Sequence, residues 1–254
     1  MTRRLAFLLA AAGLLPAAHA AEQPCDAATL AVVGKFAGVA GLSTPGDDGP
    51  LSAAACKPAP DKPSVMLAAV AWWPPGARHD DDFSDKPLVV ATIDRARARV
   101  IASYRATISE DTITQLRPGG LVLDTARYQL APGLRAFALR FDTSGRFPGA
   151  GEANWDDELT LLVPEGDTLR PVLKLDMSQG RLVDRVWQLA TSTLAVAATR
   201  SHGYADLLLR TTIEMNPLDP DKVVAKPRVE SVLLRYDGRT YVGGSADAWW
   251  LDAH

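Results

Sequence analysis

The chain has 254 residues, of which 47% are hydrophobic, 22% charged and 7% aromatic, with 18 prolines, 19 glycines and a formal charge of −3. There is ample apolar content for a core and no surplus of positive charge for phosphates. Composition therefore excludes a disordered tail, a collagen-like repeat and a basic nucleic-acid binder.

In chain order, residues 1–20 read as an export leader: Arg3 and Arg4, an apolar run from Leu5 to Leu15, then Pro16 and the small residues Ala18 and Ala20 flanking His19. A membrane helix needs about 20 apolar residues. The run falls short of that, so cleavage between Ala20 and Ala21 is expected, with the periplasm as destination and secretion as the alternative. Cys25 stands five residues past the cut, behind Pro24, so lipid attachment is not expected. Cleavage removes two of the 27 basic residues and none of the 30 acidic ones, leaving 234 residues at a charge of −5. An acidic chain is not drawn to nucleic acid or anionic lipid, and no later apolar stretch has the length of a membrane span.

Cys25 and Cys56 are the two cysteines. In an oxidising compartment an even pair reads as one disulfide, which closes a loop of about 30 residues and stabilises by roughly 3.5 to 4 kcal/mol on the chain-entropy model. A redox pair would favour Cys-x-x-Cys spacing, and a zinc site needs more ligands than His79, His202 and His254 readily add. Behind Asp26 as N-cap, Ala27, Leu30, Val33, Phe36, Ala37 and Ala40 recur at helical spacing. Gly34 and Gly38 interrupt that helix at some cost. From Ser43 to Pro63 the density of Pro and Gly predicts an irregular stretch tied back by the disulfide.

From Ser64 onward, short runs rich in Val, Leu, Ile, Thr and Tyr predict strands at about Val65–Trp73, Leu88–Asp94, Arg99–Ile108, Leu121–Leu130, Leu134–Phe141, Leu159–Val163, Leu169–Leu175, Thr193–Thr199, Asp206–Glu214, Val229–Tyr236 and Thr240–Val242. Arg181–Ala190 fits a short helix through Leu182, Val183, Val186, Trp187 and Ala190. Hairpin turns are expected at Ala131-Pro132-Gly133, at Pro164-Glu165-Gly166-Asp167 and at Asp237-Gly238, the last as type I′. The expectation is a mainly β fold, an antiparallel sandwich, barrel or partial propeller with a short disulfide-tied N-terminal helical segment. Its divisions are a leader (1–20), a disulfide-tied helix and Pro/Gly-rich segment (21–63) and a β-rich domain (64–254).

Familiar catalytic signatures are absent: no G-x-S-x-G, S-x-x-K, H-E-x-x-H, Walker loop or complete G-x-G-x-x-G. Gly149-Ala-Gly151 lacks the third glycine of a dinucleotide fingerprint. His79, Asp80, Asp81, Asp82 and Asp85 form the densest acidic cluster and are the candidates for a divalent cation, against a solvated acidic loop. Asn216-Pro-Leu-Asp219-Pro-Asp221 and Asn154-Trp-Asp156-Asp157-Glu158 are lesser clusters of the same kind. Ser201, His202 and Asp206 invite a hydrolase reading, but a tight turn with Gly203 at positive φ is favoured, since sequence neighbours do not make a triad. Trp72-Trp73 and Trp249-Trp250 are candidate binding aromatics, with core or edge packing the favoured alternative: in a strand each pair sends one indole inward and one to the surface.

His202-Gly-Tyr-Ala-Asp206-Leu-Leu-Leu followed by Leu234-Arg-Tyr-Asp-Gly-Arg-Thr-Tyr241 resembles the closing blade-like hairpins of uncharacterised exported bacterial proteins that share an HGxxDL…YDGxxY pattern. The resemblance covers about 40 residues. It implies a strand, a loop and a tight turn in a β-rich envelope protein, and no reaction. The sequence therefore points to an exported protein that binds an envelope partner or small ligand, without a cofactor. A periplasmic hydrolase, with a version metal-assisted through His79 and its aspartates, and a structural accessory domain are the alternatives.

Overall fold

A computed structural model describes residues 23–43, 49–77, 84–110, 114–143, 153–219, 225–244 and 248–251. Helix α1 (Ala27–Ala37) precedes the strands β1 (Leu51–Ala59), β2 (Lys62–Trp72), β3 (Lys86–Asp94), β4 (Arg99–Ile108), β5 (Leu116–Ala131), β6 (Leu134–Thr143), β7 (Ala153–Glu165), β8 (Thr168–Val183), β9 (Val186–Ser201), β10 (Tyr204–Pro217), β11 (Arg228–Tyr236) and β12 (Tyr241–Val242). A single 3-10 turn follows at Trp249–Leu251. No helix among the described residues is long and apolar enough to cross a membrane.

The strands form one mixed sheet. β1 to β4 are an antiparallel meander, β5 to β12 a second, and the two meet where Ser103 of β4 pairs in parallel with Thr168 of β8. Every other ladder is antiparallel, and the hydrogen-bonded path does not close on itself. Of the three architectures expected from sequence, the closed barrel is thus excluded, while the mainly β class holds.

Side-chain alternation then folds this sheet into stacked layers. Met66, Ala68, Val70 and Trp72 of β2 face α1 through Leu30 and Val33. On its other side, β2 turns Leu67, Ala69 and Ala71 to Leu121, Leu123, Phe137, Leu139 and Phe141 of β5 and β6. Those strands in turn present Tyr128, Leu130, Ala136 and Ala138, with Leu159, Leu161 and Val163 of β7, to Ala190, Leu207, Leu209, Ile213 and Trp250. β5, β6 and β7 are therefore covered on both faces, which is why their sequences run apolar over consecutive positions.

The N-terminal segment joins the layers. Asp26 caps α1 by accepting from Thr29 N at 2.6 Å, and Gly38 ends it in the left-handed region. Gly34 has a packing reason, for a Cβ there would meet the Val39 carbonyl oxygen at 2.7 Å. Cys25 and Cys56 form the expected disulfide. Just ahead of it, the Gln23 carbonyl accepts from Cys56 N at 2.7 Å. Its side-chain amide takes both backbone groups of Leu123, at 2.9 and 3.2 Å. One residue thus stitches β1 to β5 across an edge that no ladder closes. Replacing both cysteines by alanine is expected to lower the unfolding free energy by about 3.5 kcal/mol, as a separation of 31 residues implies. Urea titration measures this. A loss below about 1 kcal/mol would assign the anchoring to Gln23 alone.

Three expectations are corrected. The stretch from Ser43 to Pro63 contains a nine-residue strand, β1, which pairs with β2 from Leu51↔Trp72 to Ala59↔Lys62 despite Pro58. A boundary at residue 63 therefore cuts a hairpin. Arg181–Ala190 is not helical: β8 and β9 turn at Asp184 and Arg185, both at positive φ (49° and 63°). A two-residue turn without glycine hides from a sequence reading. At Asp237-Gly238 only Gly238 has positive φ. The loop runs instead from Asp237 to Thr240, with the Asp237 carboxylate accepting from Arg239 N and Thr240 N. It is an Asx-type turn, not type I′.

Candidate functional site

Where β1–β2, β5–β6 and β7–β8 turn, the space between the first two layers opens to solvent as a cleft of about 450 Å³. Its floor is Val65 and Leu67 of β2, Ile101 of β4 and Phe137 of β6, with Ala136 and Pro164 also on the lining. Leu67 and Phe137 also belong to the core beneath. The cleft is therefore the unfilled end of that core, a position and size usual for small-molecule sites.

The charged groups converge at the mouth, and Thr92, the one other hydroxyl-bearing side chain of the lining besides Thr125, is tied to the Ala102 backbone. Arg135, the second residue after the Pro132-Gly133 turn, donates from Nη1 to Asp61 Oδ1 at 2.6 Å and from Nη2 to the Thr125 carbonyl at 2.8 Å. That carbonyl is free to accept because β5 bulges: Asp124 pairs with Ala138 and Tyr128 with Ala136, so Thr125 to Arg127 face a single residue of β6. Asp124 holds the bulge, accepting from Ala126 N at 2.9 Å and from Tyr128 Oη at 2.8 Å. Burial, helped by the Asp124 carboxylate, pushes the Tyr128 phenol up, which keeps it a donor. Lys62 adds a second cation at the rim. Arg135 is 21% exposed at its side chain and Asp61 65%, so a fixed cation is paired with a loosely held anion.

A second cavity of about 500 Å³ lies between β4, β8 and β12, lined by Tyr104, Leu173, Lys174, Tyr241 and Val242 among others. Two of its polar groups are engaged: Lys174 Nζ pairs with Glu158 at 2.9 Å, and Tyr241 Oη donates to the Ala205 carbonyl at 2.6 Å. The arginine cleft is the better-equipped site.

The candidates expected from sequence lie elsewhere. His79, Asp80, Asp81 and Asp82 fall outside the described residues, and Asp85 is exposed. Among the described residues no group of three or more His, Cys, Asp or Glu is placed to hold a metal ion. Trp72 is buried against α1, while Trp73, just past β2, is half-buried with the Lys86 ammonium 3.5 Å from its ring centre. Trp250 is buried and Trp249 half-buried beneath the Arg181 guanidinium. This pair sits in a 3-10 turn, not a strand. His202 has φ 47° and, with Gly203, makes the β9–β10 turn. Its Nδ1 meets the Tyr236 carbonyl at 2.8 Å. Asp206 accepts from the side-chain hydroxyl of Thr199 at 2.6 Å instead of a backbone group. That hydroxyl, with Ser201's, outweighs burial and holds its carboxyl below the usual range. The conspicuous C-terminal residues thus tie hairpin tips together, and Tyr204 stacks on Tyr236 at 4.3 Å.

Sequence reasoning missed Asp61, Lys62, Thr125 and Arg135. The sole local signal was the Pro132-Gly133 turn, which fixes where Arg135 emerges but says nothing of what it meets. Comparison with protein-family models, curated proteins and solved structures yields no significant match.

Proposed function

We propose that this chain is an exported binding protein of the cell envelope whose small ligand occupies the cleft at Arg135. The observation that carries the reading is a cleft of about 450 Å³ with an apolar floor and its cations confined to the mouth. The disulfide and the leader-like N-terminus support an oxidising compartment.

Purification of the full-length chain from the periplasmic fraction of a bacterial host tests both halves. The product is expected to begin at Ala21. Native mass spectrometry is expected to show a small molecule released on unfolding, and Ile101→Trp, which adds bulk at a half-buried position of the cleft floor, is expected to remove it. Retention of the leader would overturn the export half. A wild-type chain that carries no ligand and gains no thermal stability from a broad small-molecule set would overturn the binding half.

A further inference from the structure

We infer that the ligand is a monomeric, single-chain organic acid, its carboxylate on Arg135 and its alkyl chain on the floor of the cleft. This rests on the reading of the cleft as a ligand site and adds the chemistry of what fills it.

The mouth already holds a carboxylate in the required place. Asp61 Oδ1 sits 2.6 Å from Arg135 Nη1. It stands in for the ligand's acid group, showing that an oxygen anion fits there while Nη2 remains tied to Thr125. Two features make the Asp61 carboxylate exchangeable. Its side chain is 65% exposed, and exposed ion pairs contribute little to stability, so releasing it is cheap. Arg135 by contrast is fixed, held by a bulge carbonyl and packed so that only 21% of it is exposed. A preorganised guanidinium favours a carboxylate, which Nη1 would hold as it holds Asp61 Oδ1. With Lys62 and Arg135 against Asp61, the mouth carries a net positive charge, and Asp61 swinging into water would raise it. Behind the cations the lining turns apolar at Val65, Leu67, Ile101 and Phe137. Cation at the rim and hydrocarbon behind it is the complement of an amphiphile with an anionic head.

Calorimetric titration with decanoate, decanol and decyltrimethylammonium, all below their micelle concentrations, tests the inference. Decanoate is expected to bind at least tenfold more tightly than decanol, and the ammonium compound not measurably. Shortening decanoate to octanoate is expected to weaken binding about fifteenfold, near fourfold for each methylene. Arg135→Met should cost decanoate tenfold or more and leave decanol unchanged, so a folding defect would be visible as a loss of both. Asp61→Asn, at an exposed position, should tighten decanoate several-fold by removing the competitor. A merely structural ion pair would not produce that gain.

Decanol binding as well as decanoate would overturn the acid head while leaving the cleft as the site. No binding of any alkyl probe would overturn the single-chain acid, and binding unaffected by Ile101→Trp would overturn the cleft as its site. Co-sedimentation with phosphatidylglycerol vesicles, without binding of monomeric decanoate, would overturn the single-chain ligand in favour of a membrane surface.

Discussion

Trp250→Ala is expected to lower the unfolding free energy by about 4 kcal/mol, the scale of removing a large aromatic from a filled core. Trp250 is 2% exposed. It packs into the cluster formed by β7, β9, β10 and β11, meeting Trp249 edge-on at 5.9 Å. It arrives there from the far end of the chain, and Gln179 Nε2 fixes its carbonyl at 3.0 Å. The indole N–H, however, is buried with no acceptor among the described residues. Trp250→Phe discards that orphan donor along with some contact area, and is expected to cost only about 1 kcal/mol. Urea titration of the two variants decides the matter. Equal losses would mean that the indole nitrogen contributes through a partner, and a small loss in the alanine variant would mean that the layers close without the tryptophan.

An effect of similar size is expected at Lys86, for a different reason. Its side chain is fully buried, yet its ammonium is surrounded: Glu110 Oε2 at 2.7 Å, the Ser84 carbonyl at 2.7 Å, Ser84 Oγ at 2.9 Å, and the Trp73 ring. Glu110, 6% exposed at its side chain, accepts Leu116 N through its other oxygen at 2.9 Å. Lys86→Met would leave that carboxylate buried without its cation, a change that costs about 4 kcal/mol. Adding Glu110→Gln keeps the acceptor for Leu116 and removes the stranded charge, so the double variant is expected to recover about half the loss. Thermal and chemical unfolding of wild type, single and double variants form the cycle. A double variant as weak as the single one would place the cost in packing instead of charge.

How much of this was legible in the sequence depends on whether one strand carried its own evidence. Arg99–Ile108 alternates polar and apolar residues, and its bounds were read without error. β7 and β8 were read at under half their length, because their outer ends, around Asp156 and Ser178, are polar and pair only because the neighbour is there. β1 was missed since Pro58 and the flanking Pro50 and Pro60 mark a loop locally, while the disulfide and β2 make it a strand. The cleft was illegible for a stronger reason. Asp61, Ile101, Thr125, Arg135 and Pro164 are scattered over a hundred positions, and only a bulge in β5 aims a carbonyl at the arginine. The motifs that did stand out, His202 to Asp206 and Tyr236 to Tyr241, were conspicuous because tight turns demand particular residues.

The sheet formed by β5, β6 and β7 carries a consequence for how these strands find their alignment. In an ordinary half-exposed sheet, a slip of one residue throws the apolar set into water, so polarity alone fixes the pairing. Here a slip would only exchange Phe137 and Leu139 with Ala136 and Ala138, delivering each to the opposite core. Water-avoidance is nearly indifferent to that exchange. What distinguishes the two alignments is volume, aromatic rings on one side and alanines on the other, together with the turn at Pro132-Gly133 and the bulge at Asp124. Insertions or deletions of a single residue in those two places should be tolerated far less than on the outer strands, since they are what counts the residues.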